Sequence, residues 1–242
     1  MEQPWDDLDV NARGMLTLLE AVRAEQPTAH VVFTGSRLEY GSVGSDPVTE
    51  SHDTDPRCLH AVHKLVAEQY LRLYERLYGI SFAVARITNP YGPGQPKSRT
   101  AYGVVNRLIH LALAGEALPI YGDGSQRRDY IYIDDVVRAL LALGDRTART
   151  LGTPGTSRTS AIYNVGTGVG TSIADMARAI VSAAGGGRLE FVAWPALAEQ
   201  IETGDFVADV SRIAADLGWR AGVSLNEGLQ RTVAFYRAQV AQ

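Results

Sequence analysis

Apolar positions in the first part of the chain alternate between helical and strand-like spacing. Leu8, Met15, Leu18, Leu19 and Val22 fall on one side of a helix spanning residues 6–25. Ala29-His30-Val31-Val32-Phe33-Thr34 is a short, nearly unbroken apolar run closed by Gly35-Ser36, the pattern of a strand buried on both faces. A loop rich in Gly, Ser, Asp and Pro covers 36–57 and feeds a long helix at about 58–78, which Gly79 is placed to stop. Ile80 to Arg86 reads as the next buried strand. Helix, strand, helix, strand is the rhythm of a doubly wound parallel sheet.

The second half breaks that rhythm. A Pro/Gly-rich loop at 89–99 precedes a helix at about 101–114, then Leu118-Pro119-Ile120-Tyr121 and the polar turn Gly122 to Ser125. Tyr130 to Ile133 reads as a strand and 134–144 as a helix, and residues 145–160, rich in Gly, Thr, Arg and Ser, as an exposed linker. Ile162 to Val165, a helix at 172–184, a strand at 188–193 and helices near 210–217 and 224–240 complete the chain, with no internal repeat.

Composition narrows the function classes. With 242 residues, 45% hydrophobic and 21% charged, the chain can bury one large or two interleaved α/β units. A net charge of −4 gives no reason to expect nucleic acid as a partner. A single cysteine, Cys58, excludes an internal disulfide and fits a reducing, cytoplasmic setting. The residues after Met1 lack the pattern of a signal peptide, and no apolar run reaches membrane-spanning length. The chain uses lysine only at Lys64 and Lys97 and otherwise arginine, so Lys64 is a marked choice of a compact ammonium.

Six segments in order resemble the extended short-chain dehydrogenase/reductase family, in particular its nucleotide-sugar epimerases and dehydratases. They are Asn11-Ala12-Arg13-Gly14 with Leu18-Leu19-Glu20-Ala21, Thr34-Gly35-Ser36 with Tyr40-Gly41, and Arg86 to Gly94. Ile120 to Val137, the most specific, is followed by Asn164-Val165-Gly166-Thr167-Gly168 and Leu217-Gly218-Trp219. The resemblance implies an incomplete Rossmann-type doubly wound parallel sheet with a smaller α/β substrate domain. Residues 1–88 and 130–147 would form the remaining nucleotide-binding part, and 89–129 with 148–242 the interleaved substrate part. It implies NAD as cofactor, contacted by Asn11, Lys64 and Thr88, and a nucleotide-sugar substrate held by Asn89, Arg128 and Tyr121. Ser36, His60 and Lys64 would form the catalytic group. A homodimer built on the 6–25 and 58–78 helices is also implied, or a partner covering an exposed sheet edge.

Two departures from the family stand out. No strand and glycine-rich turn of the kind that cradles a dinucleotide pyrophosphate precedes residue 36, so the cofactor half is expected to be truncated and NAD binding impaired. Four residues before Lys64, where the family carries its catalytic tyrosine, stands His60. Imidazole, with an unperturbed pKa of about 6.5, is a competent base near neutrality. Its reach is roughly 2 Å shorter than that of tyrosine, and misplacement of ~1 Å is costly. His60 is therefore either a replaced catalytic group or a lost one. Other readings remain open: nucleotide-sugar binding without catalysis, or cofactor-free acid–base or hydrolytic chemistry by Ser36 with His60, for which no third orienting carboxylate is assignable. His60 and His63 lack a third metal ligand nearby, so no metal is expected. Gly166-Thr167-Gly168-Val169-Gly170 has the wrong spacing for a dinucleotide fingerprint and reads as a tight turn entering a helix. Glu202-Thr203-Gly204-Asp205 stands where 4-epimerases usually offer an arginine to the phosphates.

Overall fold

The computed structural model describes residues 3–44, 47–95, 103–150 and 160–240, with residues 146–150 and 240 as backbone only. The chain opens with α1 (Pro4–Asp7), a π-helical segment (Leu8–Arg13) and α2 (Gly14–Glu25), followed by β1 (His30–Ser36) and a single 3-10 turn (Arg37–Tyr40). Next come α3 (Leu59–Tyr78), β2 (Ser81–Ile87), β3 (Asn89–Tyr91), α4 (Val104–Leu113), β4 (Ala117–Tyr121), β5 (Arg127–Tyr132) and α5 (Ile133–Thr150). The remainder is β6 (Ala161–Val165), β7 (Gly170–Ser172), α6 (Ile173–Ala184), β8 (Arg188–Val192), α7 (Ala196–Gln200), α8 (Ser211–Leu217) and α9 (Leu225–Val240).

β1, β2 and β6 form a parallel sheet with β2 in the middle, Ser36 opposite Ile87 and Ile87 opposite Val165. Because β2 is covered on both faces, its side chains alternate between two cores. Phe82 and Val84 pack with Leu19, Phe33 and Leu71 under α2 and α3. Ala83 and Ala85 pack with Tyr163, Val136, Leu143 and Trp219 under α5 and α8. Helices on both faces of a parallel sheet are the doubly wound arrangement. A separate core gathers α4, α6 and α9, with Leu108, Ile109, Met176, Ile180, Leu229 and Val233 closing around Leu118, Ile120 and Tyr132. Here β4 pairs with β8, and β3-β5-β7 forms a short mixed ribbon.

Several elements differ from the sequence expectation. The helix expected over 6–25 carries one wider π turn at Leu8–Arg13, around Asn11. β6, counted with the substrate part at 148–242, pairs with β2 in the central sheet, so the two parts interleave once more than expected. α5 continues through Thr150 where a linker from 145 was expected, because Arg146, Ala148 and Arg149 favour a helix past the single Gly144. The rest of that linker, 151–159, lies outside the described residues. β3 and β7 hold three residues each, too few to carry a period in the sequence. Among the described residues no helix is long and apolar enough to cross a membrane.

Candidate active site at the strand ends

The carboxyl ends of β1 and β2 hold Ser36, Thr88 and Asn89, at the place where open α/β sheets put their ligands. Ser36 ends β1 and caps the following turn: its Oγ accepts from the Leu38 N–H at 3.2 Å, and its own N–H donates to Glu39 Oε1 at 2.7 Å. Glu39 is fully buried and shares the Arg86 guanidinium with Glu68, at 3.4 Å from Nε and 2.9 Å from Nη2 respectively. Burial and the neighbouring Glu68 charge push the Glu39 carboxyl well above the usual carboxylate range. Arg86 also lies 4.6 Å over the Tyr40 ring, and Tyr40 donates to Asn164 Oδ1 at 2.7 Å. This buried network fixes the backbone that presents Ser36. Gly41 closes it in the left-handed region at φ 70°, where an added Cβ would lie 1.9 Å from the Asp55 carbonyl oxygen.

α3 supplies His60 and Lys64 on successive turns. His60 Nδ1 lies 3.1 Å from Asp7 Oδ2, and His63 Nδ1 lies 2.6 Å from Asp7 Oδ1. Asn11, on the π turn, donates to the same carboxylate at 3.2 Å and to the Asp7 carbonyl at 3.1 Å. Asp7 thus holds three side chains from two helices. Partial burial pushes its carboxyl up, but the bonds from His63 and His60 outweigh this and leave it below its usual value. Lys64 Nζ donates to the Thr34 carbonyl at 3.0 Å and sits 4.9 Å over the Phe33 ring. Burial lowers its pKa. Lys64 thus reaches the strand that Ser36 ends, whereas His60 is held by Asp7 on α1. Ser36 and His60 share no hydrogen bond, as a Ser–His nucleophile would require. The orienting carboxylate absent from the sequence reading is Asp7, which sits 53 residues from His60, a separation no local spacing reveals.

The ribbon supplies the substrate-facing candidates. Asn89 stands opposite Tyr130 in register, and Arg128 lies two residues before Tyr130, so all three share one face. Thr88 Oγ1, Asn89 Oδ1 and the Tyr130 hydroxyl are buried without a hydrogen-bond partner. The Arg128 guanidinium is buried, donating to the Arg127 and Gly204 carbonyls and paired with Glu202. The residue noted as a departure from the phosphate clamp thus reaches back to the arginine expected to hold the diphosphate. Tyr121 lies apart, tilted against Trp194 with ring centroids 5.3 Å apart. Arg37 is buried beside Arg128 and donates to Thr203 Oγ1 at 3.1 Å. The sequence reading passed over it although it directly follows Ser36.

The Gly166–Gly170 loop folds as the expected tight turn. Its amides are spent inside the protein: Thr167 N–H, Thr167 Oγ1 and Gly168 N–H donate to the Asp129 carboxylate at 2.7–2.9 Å. Burial raises the Asp129 pKa against these bonds. Among the described residues no group of three or more His, Cys, Asp or Glu could hold a metal ion.

Residues 1–166 match the NAD dependent epimerase/dehydratase family. UDP-glucose 4-epimerase of Mycolicibacterium smegmatis is 32% identical over 237 residues, covering 98% of this chain and 71% of that protein. UDP-glucose 4-epimerase of Thermotoga maritima, solved with UDP-glucose, superposes with a TM-score of 0.83 at 29% identity, covering 99% of this chain and 73% of that one. MoeE5, solved with UDP-glucuronic acid and NAD, superposes with a TM-score of 0.80 at 28% identity, covering 95% and 71%. The family match, the curated relative and the shared fold agree: this chain belongs to the NAD dependent epimerase/dehydratase family, whose cofactor is NAD.

Proposed function

We propose that the chain acts on a nucleotide-sugar as a 4-epimerase-type enzyme, with His60 as the base in place of the family's tyrosine. The observation that carries this reading is the Asp7–His60 hydrogen bond at 3.1 Å. An ionised carboxylate only accepts, so the bond selects the Nδ1–H tautomer and leaves Nε2 with its lone pair free. His60 remains half-exposed, with 46% of its side-chain surface open to solvent or ligand.

The residues present fit the nicotinamide end of the cofactor. Lys64 spends one ammonium hydrogen on the Thr34 carbonyl and keeps two donors for a ribose, and the orphaned Thr88 hydroxyl follows β2 at the carboxyl end of the same sheet. Asn11 does not add to them, because its amide is turned to Asp7. Among the described residues the elements before β1 are helices, so the pyrophosphate end is not assigned to them. When bound, NAD supplies the hydride acceptor. In the proposed chemistry Ser36 Oγ orients the sugar hydroxyl and His60 Nε2 removes its proton. Asp7 stabilises the imidazolium that results, and the imidazolium returns the proton when the alcohol re-forms. Asn89 and Arg128 face the nucleotide diphosphate, which has to draw Arg128 away from Glu202.

Incubation with UDP-glucose or UDP-galactose and NAD, followed by proton NMR of the anomeric signals, tests the reading. Interconversion is expected, falling roughly 100-fold or more in His60→Ala. Undiminished conversion by that variant overturns the assignment of the base.

A further inference from the structure

Arg37 is a buried cation that the proposed chemistry leaves unused. It is 7% exposed, and one N–H donates to Thr203 Oγ1 at 3.1 Å. The face of the Phe206 ring lies 5.5 Å away, and no carboxylate pairs with it among the described residues. A guanidinium offers five donors, and a desolvated one without an anion is costly to keep. Nearby Arg128 is already neutralised by Glu202, so it does not compete for a further anion on equal terms. Burial and the Arg128 charge lower the Arg37 pKa to about 10, and the nearby Glu202 carboxylate, engaged by Arg128, offsets this only in part. A second feature points the same way. Burial raises the Tyr130 pKa against the charges of Arg128 and Arg37, and its buried hydroxyl has no hydrogen-bond partner among the described residues.

We infer that Arg37 is a specificity-determining residue that receives a carboxylate carried by the sugar, so that the preferred ligand is a nucleotide-linked uronic acid. This rests on the nucleotide-sugar reading above and deepens it. The placement favours the sugar over the diphosphate because Arg37 directly follows Ser36, the residue assigned to the reacting hydroxyl, whereas Arg128 lies on the ribbon. The planar fork suits the two oxygens of a carboxylate, and the Tyr130 hydroxyl provides a further donor beside it.

Titration calorimetry of the full chain with UDP, UDP-glucose and UDP-glucuronic acid separates the possibilities. The wild type is expected to bind UDP-glucuronic acid roughly tenfold or more tightly than UDP-glucose. In Arg37→Met that preference disappears while UDP and UDP-glucose bind as before, and Arg37→Gln serves the same comparison if the Met variant does not fold. Equal affinity of the wild type for the two sugars overturns the inference and leaves the nucleotide-sugar reading standing. Weakening of all three ligands alike in Arg37→Met also overturns it, by assigning Arg37 to the diphosphate. If none of the three binds the wild type, both readings fall.

Discussion

At the scale of single residues, Asp7 ties Asn11, His60 and His63 together, and its removal has a defined cost. Asp7→Asn keeps the size but weakens two charge-assisted bonds on partly exposed groups, so a loss of about 1–2 kcal/mol in denaturant unfolding is expected. The folded-state pKa of Asp7 is depressed below 3.8. Its contribution is therefore present above that value and lost as pH falls through the folded pKa, and the difference between wild type and variant should close in acid. Glu39 has the opposite sign. Its folded pKa is raised by burial and by Glu68, so the folded state binds the proton more tightly and stability declines as pH rises from 4.5 towards the raised value. Glu39→Gln keeps an acceptor for the Ser36 N–H and removes the titration. Its melting temperature relative to wild type should rise by roughly 2–4 °C between acid and mildly alkaline pH, as read by calorimetry. A constant difference across that range would show that Glu39 does not titrate there. Ser36, His60 and Lys64 became candidates through the motifs that resemble the family. Asp7, Arg37 and Tyr130 were not, because what marks them is a partner or a missing partner across the fold.

At the scale of elements, legibility followed length. The 20-residue α3 and the fully buried β2 carry enough apolar periodicity to be read directly. The π turn at Leu8–Arg13 changes hydrogen bonding without changing the apolar stripe, so the sequence gives no separate signal for it. The Gly166–Gly170 loop shows how a glycine pattern acquires meaning only from what it faces. Its amides hold Asp129, and at Gly166 an added Cβ would come within 2.6 Å of both Asp129 and Thr88. Asp129→Ala leaves these buried donors unsatisfied and is expected to cost about 3 kcal/mol or more in unfolding experiments. A loss under about 1 kcal/mol would mean that the loop holds its shape without the carboxylate.

At the scale of the whole molecule, two cores flank the central sheet and a third lies under α4, α6 and α9, and the chain passes from β2 through Thr88 into the ribbon beside Ser36. The general division into a doubly wound part and a smaller part was visible in the change of rhythm after residue 88. The return of β6 to the central sheet was hidden by the long intervening sequence. Among the described residues β1 borders the sheet, and the helices beside it expose Val10 at 73% and Leu77 at 57%, with Leu18 half-exposed. Apolar faces of this kind favour self-association. Sedimentation should show a dimer at micromolar concentration that dissociates in a Leu18→Glu, Leu77→Glu double variant, whereas a monomeric wild type would show that these helices do not pair.

The central claim is that an imidazole, held by Asp7, removes a sugar proton at a cofactor site assembled from Lys64 and Thr88. Its most direct test is the near-ultraviolet absorbance of reduced nicotinamide when the protein is mixed with NAD and a UDP-sugar that binds it. A rise that requires both ligands and vanishes in His60→Ala is the expected result. No rise despite UDP-sugar binding, or the same rise in His60→Ala, would contradict the account.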